Sequence, residues 1–286
     1  MIRVLLILCF LSGTVSSFAQ TNGWYTASEI GTKTWVISEP GFNEKMYLLE
    51  GKDSALLIDA GFGMGNLRDF VKMLSTKPLI VANTHSHPDH SGGDYEFSAV
   101  YIGAEDLELT RPYLDPKMMK NVTGSFLKNI QIPDSLKFPD TLNAVSTRLV
   151  PITDNYVFHL GGRDVQVISL PGHTPGSLCF LDRNSKILFT GDNNVSVWLF
   201  LKESLSVATY QKNLKKLNSF NKQFNVVYSG HDLATPIGFI DELITCCELI
   251  ISGKCETKPY HTMFGTDTPS CSYKSVTIAF DANKIK

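Results

Sequence analysis

The chain has 286 residues, of which 43% are hydrophobic, 10% aromatic and 19% charged. This length and apolar fraction can build a sizeable core, which excludes a chain that is disordered throughout and a miniprotein held together by disulfides. The 26 basic and 28 acidic side chains give a net charge of −2, so nothing in the charge indicates a nucleic-acid partner or a polybasic membrane-binding surface.

Residues 1–19 have the pattern of a secretory signal peptide. Arg3 precedes an unbroken apolar run over 4–11, and Ser17-Phe18-Ala19 has the small-x-small pattern of a cleavage site. The run is far shorter than the ~20 residues that span a bilayer, and no later segment is apolar enough to do so. We therefore predict a secreted or periplasmic protein that is cleaved near Gln20, with an uncleaved anchor as the alternative.

The apolar pattern of the first half alternates between strand-like and helix-like periods. It predicts strands over 34–38, 46–50, 55–59, 78–84 and 100–102, a helix over 67–74, and the start of a helix over 105–109. Residues 111–147 are punctuated by prolines, and we predict a loop-rich insertion there.

A dense polar cluster follows the strand over 78–84. It places three histidines and an aspartate within six residues, at His85, His87, Asp89 and His90. Imidazole nitrogens and carboxylate oxygens are ligands that zinc accepts. His85 and His87 should point the same way in an extended strand end, while a turn at Pro88 brings the other two to a second point. The pattern indicates two nearby metal ions, whose remaining ligands come from elsewhere.

The second half repeats the alternation. It predicts strands over 157–160, 165–170, 178–181, 187–190, 226–229 and 275–280, and helices over 207–220 and 239–251. This order indicates an α/β fold of two related halves, packed sheet to sheet with the helices outside, in a single domain over 20–286. Three more candidate ligands each follow a strand and adjoin a glycine, which lets the backbone approach closely: His173, Asp192 and His231.

In type and order, these residues resemble the ligand set of the metallo-β-lactamase fold hydrolases, which include glyoxalase II, lactonases and subclass B3 β-lactamases. The resemblance implies an αββα sandwich with a metal site at the sheet edges. By position, it implies that His85, His87 and His173 bind one zinc ion, that Asp89, His90 and His231 bind a second, and that Asp192 bridges both. Asp59 matches the structural aspartate of the family. Two zinc ions per chain are expected, with iron or manganese as alternatives.

A pair of zinc ions predicts hydrolysis, because metal binding lowers the pKa of water from about 15.7 to about 7. We expect a metal-held hydroxide to attack an ester, thioester or lactone of a small molecule, with Asp89 or Asp192 orienting it and moving its proton. A B3-like β-lactamase is an alternative, since residues 172–177 read Gly-His-Thr-Pro-Gly-Ser, although Asp192 departs from the β-lactamase pattern. An iron-dependent oxidoreductase similar to the persulfide dioxygenases is another.

The apolar stretch over 195–201 lies close to Asp192 in the sequence. Trp198 and Phe200 are candidates for the wall of a substrate pocket, together with Met118 and Met119 from the insertion, and core packing is the alternative interpretation. Cys255 and Cys271 are a candidate disulfide pair, and Cys179 should be buried. His159 and His261 match no motif, so we expect no site role for them. The sequence predicts nothing about oligomeric state.

Overall fold

The computed structural model describes residues 19–41, 43–126, 146–232, 234–235 and 237–286. All but the last residue of the proposed signal peptide lies outside the described residues, so its cleavage stays a prediction. Within the described ranges, no helix is both long enough and apolar enough to cross a membrane.

The described residues form six α-helices and seventeen strands. The helices are α1 Leu67–Leu74, α2 Pro88–Ser91, α3 Leu107–Thr110, α4 Pro116–Phe126, α5 Val207–Asn218 and α6 Phe239–Ile251. The first eight strands are β1 Gln20–Thr21, β2 Thr26–Gly31, β3 Thr34–Ser38, β4 Lys45–Glu50, β5 Ala55–Ile58, β6 Leu79–Ala82, β7 Ala99–Gly103 and β8 Arg148–Ile152. The others are β9 Val157–His159, β10 Asp164–Ser169, β11 Leu178–Asp182, β12 Ile187–Phe189, β13 Ser196–Leu199, β14 Val226–Tyr228, β15 Lys258–His261, β16 Asp267–Tyr273 and β17 Val276–Phe280.

The strands build three sheets. The first contains β1 to β8 in chain order, antiparallel as far as β5 and parallel from β5 to β8. The second has the order β14-β12-β11-β10-β9, and the third has the order β13-β17-β16-β15. The two halves of the predicted sandwich are the first sheet and the second.

The central strands of both main sheets are buried on both faces, which explains why β4, β5, β11 and β12 read as continuous apolar runs. In β4, Met46 and Leu48 face the core beneath α1, whereas Tyr47 and Leu49 face the second sheet. The same alternation occurs in β11: Leu178 and Phe180 lie between the sheets, and Cys179 and Leu181 pack under α5 and α6. The predicted αββα layering is therefore confirmed.

A buried arginine ties the two sheets together. Arg163, in the turn before β10, pairs with Asp182 at 2.6 Å and donates to the Thr34 hydroxyl at 2.7 Å. It also donates to the carbonyl oxygens of Lys33 and Glu50, at 2.9 and 3.2 Å. The bonds to Thr34, Lys33 and Glu50 cross from the second sheet to the first. They fix the start of β10 relative to the start of β3 and the end of β4.

The insertion is more regular than the sequence indicated. Residues 116–126 form helix α4, because Pro116 occupies the first helical turn, where proline is tolerated, rather than interrupting a helix. Met119 is fully buried in the core beneath α1, so the prediction that it borders a pocket is wrong, whereas Met118 is 41% exposed. The remainder of the predicted insertion, over 127–145, lies outside the described residues.

The third sheet was not predicted. Most of the apolar stretch over 195–201 is strand β13, with Val197 and Leu199 in the core and Trp198 only partly buried. A disulfide joins Cys255, after α6, to Cys271 in β16, as the sequence allowed. The thiols of Cys179, Cys246 and Cys247 are free and buried.

Candidate metal centre

The candidate ligands come from four separate loops, each of which follows a strand of the sandwich. His85 to His90 follow β6, His173 follows β10, Asp192 follows β12 and His231 follows β14. The structure brings all seven of these predicted side chains together at one edge of the two sheets, in two adjoining clusters. We call His85, His87 and His173 cluster 1, and Asp89, His90 and His231 cluster 2.

The three imidazoles of cluster 1 converge on one point. The Nδ1 of His87 lies 3.0 Å from the Nε2 of His85 and 2.9 Å from the Nε2 of His173. Two nitrogens bound to one tetrahedral zinc ion at about 2.0–2.1 Å lie about 3.3 Å apart, so this spacing suits a shared metal.

The outward nitrogens of cluster 1 show which ring positions carry hydrogen. The Nε2 of His87 lies 2.8 Å from a Glu203 carboxylate oxygen, and the Nδ1 of His173 lies 2.8 Å from the Trp198 carbonyl. The Nδ1 of His85 lies 3.0 Å from the Thr84 hydroxyl, which already donates to Asp59. Because each partner can only accept, each outward nitrogen donates.

In neutral rings, the three inward nitrogens of cluster 1 therefore hold lone pairs. Burial lowers the pKa of His85 well below its ordinary value, and nearby His90 and His87 lower it further, so this ring stays neutral. Three lone pairs at hydrogen-bond distance have no proton to share, and a bound cation satisfies all of them at once. Cluster 1 fits a metal ion on this ground alone.

Cluster 2 adds carboxylates to two imidazoles. The Nε2 of His231 lies 3.4 Å from an oxygen of Asp89, and the Nε2 of His90 lies 3.8 Å from the same oxygen. Glu44, from the loop before β4, joins this cluster, with a carboxylate oxygen 3.3 Å from the Nδ1 of His90. Neither oxygen of Glu44 hydrogen-bonds to any described residue, although the side chain is fully buried.

Asp192 lies between the two clusters, with one oxygen toward each. Its Oδ1 is 3.0 Å from the Nε2 of His90 and 3.1 Å from that of His231, while its Oδ2 is 3.3 Å from the Nε2 of His173. The Oδ1 and the Nε2 of His90 are both buried without a hydrogen-bond partner in the described part of the chain. Such orphaned polar atoms are costly, and a cation between them removes the cost.

The electrostatics of cluster 2 also favour a cation. Burial raises the pKa of Asp89, but the charges of His90 and His231 outweigh it and lower the pKa to about 2. Burial lowers the pKa of His90, but Glu44, Asp192, Asp89 and Asp59 outweigh it, so the pKa of this imidazole lies well above its ordinary value. Without a metal, the carboxylates hold protons on the imidazoles, and a metal ion would displace those protons.

Two buried aspartates hold the ligand loops in place. Asp59 accepts from the Thr84 amide at 2.6 Å and contacts the Nδ1 of His90 at 2.9 Å, so it orients the first ligand loop. Asp106, which no sequence motif indicated, accepts from the Ser86 amide, the Thr174 hydroxyl and the Gly176 amide at 2.9, 2.6 and 2.7 Å. It links the loops that carry His87 and His173.

Glycines leave room for the metal centre. A Cβ added at Gly230 would lie 2.6 Å from the Cε1 of His90 and 2.8 Å from the Oδ1 of Asp192. Gly191, with a φ of 54°, faces the Thr84 side chain, where a Cβ would lie only 2.5 Å from the hydroxyl oxygen. At both positions a larger residue would displace ligands or the groups that orient them.

An aromatic cluster adjoins cluster 1. Trp198, whose carbonyl oxygen holds His173, packs its ring 5.3 Å from that of Phe200, centroid to centroid. The indole nitrogen donates to the hydroxyl of Tyr260 at 2.9 Å, which brings the β15–β16 hairpin against the same cluster. Trp198 and Phe200, the two predicted pocket residues, are thus partly exposed and lie next to the metal ligands. Tyr260 belongs to the same aromatic cluster, although no sequence motif indicated it.

The other two histidines lie apart from the metal centre. His159 and His261 are 74% and 82% exposed, and each pairs with a nearby aspartate, at Asp164 and Asp267. Both are surface residues outside the two clusters. Glu44 and Glu203, by contrast, contact ligands but carried no recognisable motif, because each is a single glutamate in a loop distant from its partner in the chain.

The chain is similar to known proteins over much of this region. A family model described as the metallo-beta-lactamase superfamily matches residues 40–196, more than half of the chain. The human acyl-coenzyme A thioesterase MBLAC2 is 28% identical over 185 residues, which cover 59% of this chain and 66% of the human protein, just under two thirds. An atrochrysone carboxyl ACP thioesterase from Aspergillus novofumigatus is 26% identical over 220 residues, 71% of this chain and 57% of that protein.

Solved structures share the fold at lower identity. A metallo-beta-lactamase from Pontibacter korlensis has a TM-score of 0.57 and 16% identity, over 77% of this chain and 97% of that one. The protein TTHA1623 in a di-iron-bound form has a TM-score of 0.52 and 24% identity, over 73% and 97% of the two chains.

Proposed function

This chain belongs to the metallo-β-lactamase superfamily, and from that premise we propose that it is a metal-dependent hydrolase that cleaves an acyl thioester at a pair of zinc ions. The observation that carries the proposal is the pair of clusters joined by Asp192, whose two oxygens face His173 on one side and His90 and His231 on the other. The thioesterase names of the similar proteins support the substrate class.

The protein's own residues would hold the two metals as follows. His85, His87 and His173 would bind one and Asp89, His90 and His231 the second, with Asp192 shared. When bound, such a pair supplies Lewis acidity that polarises the scissile carbonyl and makes water acidic enough to attack at neutral pH.

The carboxylates orient the attacking water. Asp89 is 21% exposed and its low pKa keeps it ionised at neutral pH, so it can only accept hydrogen bonds there. A water molecule that donates a hydrogen bond to Asp89 or Asp192 would be held in one orientation. Its lone pair would then be free to attack the substrate carbonyl. These are the two catalytic residues of the proposal.

The aromatic cluster would bind the acyl group. Trp198 and Phe200 form an apolar surface that begins at the peptide group holding His173, so a bound acyl chain there would present its carbonyl to cluster 1. Tyr260 extends this surface and fixes the indole ring. Apolar walls beside a polar centre suit the acyl thioesters better than a charged phosphodiester.

The test is a substrate panel that contains acyl-coenzyme A thioesters, lactones, a phosphodiester and the β-lactam nitrocefin. We expect thioester hydrolysis that a chelator abolishes and added zinc restores, and loss of hydrolysis in His87→Ala. Turnover of nitrocefin without thioester turnover would instead establish the β-lactamase alternative. Iron found in protein made without added metal, together with oxygen consumption, would establish the oxidoreductase alternative.

We also propose that the protein is exported, with residues 1–19 removed. The Cys255–Cys271 disulfide supports this, because disulfides persist in oxidising compartments. Mass analysis of the protein recovered from the periplasm or the medium should give a chain that starts near Gln20. An intact N-terminus on cytoplasmic protein would contradict export.

A further inference from the structure

Glu203 lies in the loop over 200–205 that follows β13, and this loop is firmly anchored. The Ser204 hydroxyl donates to the carbonyl of His173 at 2.9 Å, and the Leu205 amide donates to the carbonyl of Gly172 at 2.8 Å. The amine of Lys284 donates to three carbonyls of the loop, those of Leu201, Lys202 and Ser204, at 3.1, 2.7 and 3.0 Å. The backbone of Glu203 is therefore fixed relative to the loop that carries His173.

The Glu203 side chain reaches a ligand from outside the metal centre. Its Oε1 lies 2.8 Å from the Nε2 of His87, on the side of the ring opposite the nitrogen that faces His85 and His173. The carboxylate therefore accepts the hydrogen on the Nε2 of His87. An ionised acceptor makes this bond shorter and about twice as strong as a neutral one.

Within the described residues, Glu203 is the only charged hydrogen-bond partner on the outer side of cluster 1. The corresponding partners of His85 and His173 are the Thr84 hydroxyl and the Trp198 carbonyl, which are neutral. A carboxylate on the outer nitrogen fixes the tautomer, aims the ring and makes the inner nitrogen more basic. His87 is thus the ligand of cluster 1 whose donor strength depends most on its outer partner.

We propose that Glu203 is a positioning residue for the metal centre: its carboxylate holds His87 with hydrogen on Nε2 and the lone pair of Nδ1 directed at the metal of cluster 1. The inference rests on the metal centre of the proposed function and not on the substrate. Glu203 acts through His87, which it contacts although the two residues are 116 positions apart in the chain.

The test is metal affinity, measured on purified full-length protein by competition with a chromophoric zinc chelator. Glu203→Ala should weaken the binding of one zinc equivalent by about 10- to 100-fold, the range for lost outer partners of metal ligands, and leave the other equivalent nearly unchanged. Glu203→Gln keeps an oxygen that accepts from His87 but loses the charge, so its affinity should lie between those of Glu203→Ala and the unchanged protein. Cobalt-loaded Glu203→Ala should show a shifted visible spectrum, a readout that a purely structural role would not change.

The matched control is Glu108→Gln, at a 75% exposed glutamate that pairs with Arg111 on the surface, and its metal affinity should not change. Equal zinc affinity and an equal cobalt spectrum in Glu203→Ala and the unchanged protein would overturn the inference. If Glu203→Ala does not fold, Glu203→Gln decides by the same two readouts. Two zinc ions without thioester turnover in the unchanged protein would contradict the proposed substrate and leave the role of Glu203 intact, so the two failures are distinguishable.

Discussion

At the scale of single residues, the candidate centre depends on small side chains as much as on ligands. Gly230 touches His90 and Asp192 so closely that a methyl group there would overlap both. The sequence showed Gly230 only as part of a strand-end turn. Its contacts explain why a glycine precedes His231, since any larger residue would push Asp192 out of its position between the clusters.

We therefore predict that Gly230→Ala weakens zinc binding by at least about 10-fold, because displaced ligands lose geometry that the metal requires. Isothermal titration of metal-free protein with zinc measures the effect. Gly238→Ala is the matched control, since a Cβ there meets open space and the φ of −58° suits alanine. Unchanged affinity in Gly230→Ala would show that the close contact does not constrain the ligands.

Glu39, a buried acid near the metal centre, leads to a second prediction at the scale of single residues. Glu39 accepts from the Trp24 indole at 3.0 Å and from the Phe62 amide at 2.7 Å, yet burial raises its pKa from 4.5 to about 7. The folded protein therefore keeps a proton between pH 4.5 and 7 that the unfolded chain releases. Stability contributed by this proton is present at low pH and is lost as the pH rises through that window.

Glu39→Gln removes the titration. Between pH 5 and pH 8, the free energy of unfolding of the unchanged protein should fall relative to that of the variant by about 2 to 3 kcal/mol, at about 1.4 kcal/mol per pH unit. Urea unfolding of both metal-free proteins at the two pH values gives the difference. A difference that stays constant with pH would mean that Glu39 is ionised throughout.

At the scale of elements, the ligand loops were predictable and the third sheet was not. The ligands follow short apolar strands, and such strands and the glycines after three of them are visible in a single sequence. Strands β15 and β16 are largely polar, with Pro259 and Pro269 inside them, so their pattern resembles a loop. The contacts of Glu44 and Glu203 arise only when distant loops meet, and no local pattern predicts them.

The contact between the β15–β16 hairpin and Trp198 leads to a prediction at the scale of elements. Tyr260→Phe removes the hydroxyl that accepts from the Trp198 indole but keeps the ring, so the aromatic cluster loses one hydrogen bond of about 1 kcal/mol. If the wall binds the acyl group, the KM for a medium-chain acyl thioester should rise about fivefold with little change in kcat. Tyr273→Phe, on the same hairpin, is the control and should have no effect. An unchanged KM in Tyr260→Phe would separate the hairpin from substrate binding.

At the scale of the whole molecule, the αββα layering is what brings the four ligand loops to one place. The first sheet supplies His85 to His90, and the second supplies the loops of His173, Asp192 and His231. At the other end of β10, Arg163 joins the two sheets through its bonds to Thr34 and to the carbonyls of Lys33 and Glu50. The order of apolar strands and helices predicted this layering. It could not predict helix α4, because proline at the first turn of a helix and proline in a loop look alike in a sequence.

The measurement that tests the central claim most directly is a zinc titration of metal-free protein, with bound metal and acyl-coenzyme A thioester hydrolysis followed together. We expect two zinc ions per chain at saturation, and hydrolysis that is absent from the metal-free protein and reaches its maximum as the second equivalent binds. Asp192→Asn, which weakens the shared ligand, should bind fewer ions and lose hydrolysis. Full thioester hydrolysis by the metal-free protein would contradict a metal-dependent hydrolase. So would a protein that binds no zinc at the end of the titration.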